Sequence, residues 1–430
     1  MYKIKTFIAI ILIITISAGI IGCSHAQPSG TTAAQPVGTV TRAVNLMANI
    51  TPGQTDGKSA DSVFNESMAR FSVELFKKSI ANDKNSLISP LSVMLALAMT
   101  ANGADGETLA QMERLLGGGI KLSELNKYLF SYADGLPSTE KTKLNIANSI
   151  WFRDDKDKLY VEPDFLQKNA DYYGAAAFRS VFDAQATKEI NDWVKTNTDG
   201  MIDEIIGKIE TDVMLLLINA IAFDAEWLNP YYDHNVRKDS FTDINGNKQN
   251  VDFMNSMERL YLDDGMATGF IKPYFGEYSF VALLPNEDVP IEKYIESLTG
   301  ERFMETLGNY IITGVEASMP KFKYDYEIEL NDTLKELGMP DAFSLNADFH
   351  NMGAVKDGFL YISEVLHKTF ISVDELGTKA GAATMVVMAS GSPPPQTENK
   401  IVKLDRPFVF AIIDSAINLP IFIGTVLTAA

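Results

Sequence analysis

The chain contains one cysteine and four histidines, and it is short of positive charge. Cys23 stands alone, so no disulfide can close within the chain and no set of thiolates exists to hold zinc. Cohesion must therefore come from core packing. His25, His234, His350 and His367 are far apart, with neither an H-E-x-x-H run nor a His-x-His pair, so no metal site or cofactor is expected. Lysine and arginine number 37 against 56 aspartates and glutamates, a formal charge of −19. So acidic a chain lacks the clustered cationic surface that nucleic acid or an anionic bilayer would require. A G-x-S-x-G nucleophile elbow is missing, and Ser390-Gly391-Ser392 runs into prolines instead of a helix, which leaves a hydrolase little support. Gly117-Gly118-Gly119 has no Lys-Ser/Thr behind it and reads as a helix end, not as a phosphate loop.

The N-terminal run MYKIKTFIAIILIITISAGIIGC combines Lys3 and Lys5 with an apolar stretch from Phe7 to about Ile21. That pattern is an export signal over residues 1–22, and its core falls short of the about 20 apolar residues of a membrane-spanning helix. Ile20-Ile21-Gly22-Cys23 resembles the lipobox of bacterial lipoproteins, with cleavage before Cys23 and a lipid on its thiol; a plain signal peptide is the alternative. Either way the protein is expected to be exported, as a cell-surface lipoprotein or extracellular, and to meet a membrane only through that anchor. Residues 23–60 are rich in Ser, Thr, Gly, Pro, Ala and Gln, and are expected to form a flexible tether.

From residue 61 the pattern is that of a folded domain, and 61–430 shows no repeat, linker or second boundary. SVFNESMARFSVELFKKSI sets Phe64, Met68, Phe71, Leu75 and Phe76 on one helical face. A second helix is expected from near Ser89-Pro90 and a third after the turn at Gly103–Gly106. Strand-like runs follow: LNIANSIWF, DVMLLLINAIAF, ATGFIKPYF, YSFVALLPN, GVEASMPKFKY, TFISVDEL, PFVFAII and PIFIGTV. Helices first and strands later argue for an α+β fold with a large, mostly antiparallel sheet.

One stretch fits no ordinary element: ELGTKAGAATMVVMASGSPPP, from Glu375 to Pro395. As a strand it would put Thr378, Ala380, Ala382, Thr384, Val386, Met388 and Ser390 on one face, small at the leading end. A strand entering an existing sheet late must fit a gap between packed side chains, which requires small leading residues. No proline precedes Pro393, so every backbone N–H before it is free to join a ladder. A low-bulk linker would have the same composition.

With its neighbours this stretch resembles the reactive-centre region of the serpins, the serine protease inhibitor family. HKTFISVDELGTKAGAAT is similar to that family's strand, Glu-x-Gly-Thr and small-residue hinge. NSLISPLSVMLALAMTANGADGET, NDWVKTNTDGMIDEII, LLLINAIAFDAEW and KLDRPFVFAIIDSAINLPIFIGTV match further blocks in order, from about residue 61 to 428. The resemblance implies three sheets, eight or nine helices and an exposed reactive-centre loop. It also implies a shutter of Ser89, Ser92, Asn219 and His367, a breach of Trp227, Lys321 and Glu375, and Asn191 beside the opening. The hinge would be Gly377, Thr378, Ala380, Gly381, Ala382, Ala383 and Thr384.

By the same resemblance the protein is not an enzyme but a suicide substrate. A protease attacks the loop, forms an acyl-enzyme and is trapped as the cleaved loop inserts into the central sheet. Family spacing, counting seventeen from Glu375, puts the reactive bond between Gly391 and Ser392, with Met388, Ala389 and Ser390 as register alternatives. These small or unbranched residues suit the shallow pockets of subtilisin-like or elastase-like serine proteases; a papain-like cysteine protease is the alternative target. The other reading is a non-inhibitory member whose loop is cleaved as ordinary substrate. Lys379 stands where the family commonly has Glu, on the outward face of the expected strand. A monomer is expected apart from its protease partner.

Overall fold

The computed structural model describes residues 43–154, 158–356, 358–378 and 398–429. Two helices set the frame. The first, α1 (Ser62–Ser79), begins where the Asp61 carboxylate accepts the Phe64 amide, and ends with Lys77 and Lys78 where the helix dipole favours cations. Phe64, Met68, Phe71, Leu75 and Phe76 are buried, as their spacing required. The second, α2 (Pro90–Ala101), is capped by Ser89 with Pro90 in the first turn, and all twelve of its residues are buried. A helix apolar on every side belongs inside.

Among the described residues there are three sheets, of seven, nine and two strands. Seven strands, numbered here in chain order, make the first: β1 (Val44–Asn45), β2 (Thr142–Arg153), β3 (Ala176–Ser180), β4 (Leu215–Glu226), β5 (Phe322–Glu329), β6 (Glu364–Val373) and β7 (Gly377–Thr378). Their spatial order is β1-β3-β2-β4-β7-β6-β5. β4 is the central strand and is buried on both faces, which is why its sequence is a continuous apolar run. Its Leu215, Leu217, Ile221, Phe223 and Ala225 join the main core with α2, while Leu216, Ile218 and Ala220 meet Ile190, Val194, Ile202 and Ile205 on the other side. That second cover is the Ala184–Asn197 helix and the segment after it.

The nine-stranded sheet contains ATGFIKPYF, YSFVALLPN, the first part of GVEASMPKFKY and the Phe408–Asp414 and Leu419–Val426 hairpin, whereas TFISVDEL belongs to β6 of the first sheet. The nine-stranded sheet also contains a sixteen-residue strand, Lys248–Asp263, absent from the expected set.

Part of the expected tether is part of the fold. β1 pairs with β3, Val44 opposite Arg179 and Asn45 opposite Phe178, and the Leu46 amide donates to Ala177. Leu46, Met47 and Ile50 pack against the main core. The Gly53 amide donates to the Asp171 carboxylate at 2.7 Å, and the Lys58 amide to Lys127 at 3.0 Å. The boundary at residue 60 is therefore corrected to no later than residue 43. Three apolar residues in a polar context do not look like a core segment, and main-chain pairing to an existing edge makes up the difference. The remainder of the tether, the export signal and Cys23 lie outside the described residues.

Candidate functional site: the sheet opening and the polar row beneath it

Three consecutive sheet strands place a polar residue at one level. Asn148 of β2 lies opposite Asn219 of β4, and Asn219 lies beside His367 of β6. The alternation of each strand turns all three toward α2, whose first turn supplies Ser89 and Ser92. The Ser89 amide donates to His367 Nε2 at 3.1 Å, and its hydroxyl to the Ile421 carbonyl at 2.8 Å. With Nε2 accepting, the imidazole proton sits on Nδ1 and is given to Asn219 Oδ1. Asn219 Nδ2 donates to Ser92 Oγ and to Asn148 Oδ1, both at 2.5 Å, and Asn148 Nδ2 returns a bond to the Ser92 carbonyl at 3.0 Å.

Ser89, Ser92, Asn219 and His367, expected together, are one buried network. Burial pushes His367 down to about 3, with only the bond to Asn219 opposing, so the imidazole is neutral near pH 7. Asn148 was missed. Its signal was a polar residue at the centre of the otherwise strand-like run LNIANSIWF.

Above this row β4 and β6 come apart. They pair directly, in parallel, only over Leu216–Ile221 and Glu364–Thr369. Beyond that point β7 lies between them: Gly377 and Thr378 face Glu226 and Ala225 on one side, and Thr378 faces Val373 on the other, antiparallel to both. A side chain at 377 would not fit, since a Cβ there would lie 2.0 Å from the Ala225 carbonyl oxygen. Thr378 is buried and shares a 2.5 Å hydrogen bond with the Tyr274 hydroxyl. The first two residues of the expected hinge are thus already seated in the sheet. Ala380, Gly381, Ala382, Ala383, Thr384 and the reactive-bond candidates Met388, Ala389, Ser390, Gly391 and Ser392 lie outside the described residues.

The reversal from β6 into β7 is held by its neighbours. Asp374 accepts the Leu376 and Gly377 amides, and its carboxyl is raised by burial. Trp227 donates its amide to the Leu376 carbonyl and its indole N–H to the Asp374 carbonyl, each at 2.8 Å, and its ring stacks on Tyr274 with centroids 4.3 Å apart. Lys321 meets Glu375 at 2.5 Å. Burial, the largest single effect, works to raise that carboxyl, but the Lys321 hydrogen bond, its own backbone amide and the Lys321 charge together hold the group below the ordinary glutamate range. Trp227, Lys321 and Glu375 therefore converge at the mouth of the opening.

Asn191 is on the Ala184–Asn197 helix. Its side chain accepts the Ile205 and Ile206 amides and donates to the Ile206 carbonyl, tying down the segment that covers β2 and β4. Among the described residues no group of three or more His, Cys, Asp or Glu is placed to hold a metal ion.

The family model described as serpin, serine protease inhibitor, matches residues 66–429. The chain belongs to the serpin family. It is 30% identical over 362 residues to an uncharacterised serpin-like protein of Thermococcus kodakarensis, covering 82% of this chain and 83% of that one. Among solved structures it is similar to the thermophilic serpin tengpin in its native state, with TM-score 0.86 and 55% identity over 90% of this chain and all of that one. Against tengpin in its latent state the TM-score is 0.77, at 52% identity over 87% of this chain and all of that one. The fold is therefore the serpin fold, and protease inhibition is the general activity of the family.

Proposed function

We propose that this serpin is inhibitory: it traps its protease as an acyl-enzyme by drawing the cleaved loop between β4 and β6. The observation that carries this reading is the antiparallel seat already taken by Gly377 and Thr378 between those strands. Each residue added to β7 would move its partners one step back along β4 and β6. Residues 379–381 would then face Asp224–Ala222 and Ser372–Phe370, where β4 and β6 are not paired to each other. Ala382 would arrive between Ile221 and Thr369, the first direct pair to break, and Thr384 between Asn219 and His367.

The inward face continues from Thr378 through Ala380, Ala382 and Thr384, all small. Lys379 would face the other way, where its charge reaches solvent. A dozen new ladder residues at about 1 kcal/mol net each would match the 5–15 kcal/mol that stabilises an ordinary domain. That release of free energy is what could drag a bound protease. On this reading the buried polar row acts as a shutter that must exchange partners, and the Trp227, Lys321 and Glu375 cluster as the pivot.

The bond between Gly391 and Ser392, with Met388, Ala389 and Ser390 as alternatives, would offer small or unbranched side chains to a subtilisin-like or elastase-like serine protease. Export, with a lipid on Cys23, would put the inhibitor at the cell surface as a monomer. Incubation with subtilisin followed by denaturing electrophoresis tests the reading. A stable adduct is expected at the summed mass less the C-terminal fragment released by the cut; quantitative cleavage without adduct would identify a substrate-type serpin instead.

A further inference from the structure

The second sheet buries a charged pair that the mechanism above does not use. Lys272, on the strand Ala267–Pro273, meets Glu258 of the Lys248–Asp263 strand at 2.8 Å, and the two side chains are 1% and 8% exposed. Pairs of this kind are commonly replaceable by apolar residues with little loss of stability, so stability alone does not explain this one. What the ammonium does that a methyl group could not is engage a neighbouring loop. It donates to the Asn229 carbonyl at 3.0 Å and lies 4.3 Å from the centre of the Tyr231 ring. Ser256 closes the arrangement by donating to the Glu258 carboxylate at 2.6 Å.

The loop so engaged is the one that grips the reversal ahead of the hinge. Trp227 and Tyr231 donate their amides to the carbonyls of Leu376 and Glu375, at 2.8 and 2.9 Å. We propose that the Lys272–Glu258 pair positions the reactive-loop pivot: it fixes residues 227–231 from the nine-stranded sheet, and those residues fix Glu375 and Leu376. It is a positioning element for insertion, and in that role it rests on the inhibitory reading.

The double variant Lys272→Met/Glu258→Met removes both charges together and leaves no unpaired ion. Its thermal midpoint should stay within a few degrees of the parent. Hydrogen exchange at the Trp227 and Tyr231 amides should be at least about tenfold faster, and the share of covalent adduct over cleaved product with subtilisin should fall. Exchange at the parent rate in those two amides would overturn the proposal, and so would acceleration spread evenly over the molecule. If the double variant does not fold, Glu258→Gln, which keeps the shape, is held to the same two outcomes. The exchange measurement is independent of inhibition: a parent protein that forms no adduct would refute the inhibitory reading, while the two amides would still decide whether the clamp exists.

Discussion

Lowering the pH should loosen the native state through one imidazole. His367 is buried and accepts the Ser89 amide at Nε2, so protonation would force two donors to face each other and add a charge that no carboxylate among the described residues answers. Its folded value is depressed to about 3, against an unfolded value of about 6.5. The sign follows. The unfolded chain takes up a proton as pH falls through about 6.5 and the folded chain does not, so the stability held above that value is lost between about 6.5 and 3. At pH 5 the loss is about 1.5 pH units of titration at 1.36 kcal/mol each, or about 2 kcal/mol. Carboxylates elsewhere also respond to acid, so the measurement is a difference: urea unfolding of the parent and of His367→Gln at pH 7.5 and pH 5. The variant should be less stable at pH 7.5 and should lack about 2 kcal/mol of the parent's pH dependence. Equal pH dependence in the two proteins would refute the neutral, accepting imidazole.

Three substitutions test the rest of the site. Thr378→Arg would bring a long charge against Tyr274 in the seat between β4 and β6; subtilisin should then cleave the protein without forming adduct, while circular dichroism stays that of the parent. Tyr274→Phe removes the partner of the Thr378 hydroxyl, worth about 1 kcal/mol, and should raise exchange of the Thr378 amide about fivefold with little change elsewhere. Asn148→Ala takes one acceptor from Asn219 and one from Ser92, and should lower stability by about 1–3 kcal/mol in urea unfolding, more than Asn145→Ala on the same strand.

The elements that showed in the sequence were those whose environment is uniform. β4 is covered on both faces, so DVMLLLINAIAF is an apolar run of strand length, and α1 is covered on one, so its apolar residues recur at helical spacing. The Lys248–Asp263 strand pairs with three different strands along its length and passes between buried and exposed surroundings, so no single period marks it. β1 was hidden for another reason: two residues joined to a sheet edge through their backbones leave no mark on side-chain chemistry. Ser89, Ser92, Asn219 and His367 came from family resemblance, since nothing in their spacing brings positions 89 and 367 together. Lys272 and Glu258 could not have been paired in advance, because lysine and glutamate in strands are ordinarily surface residues.

The account turns on whether cutting the loop lets β7 lengthen between β4 and β6. The most direct measurement is calorimetry of the intact protein and of the same protein nicked near Gly391. If about 10 kcal/mol or more is gained on insertion, an unfolding entropy of about 2.1 cal/mol/K per residue converts it to a rise of about 10 °C or more in the melting temperature. An unchanged or lower melting temperature in the nicked protein would contradict the account.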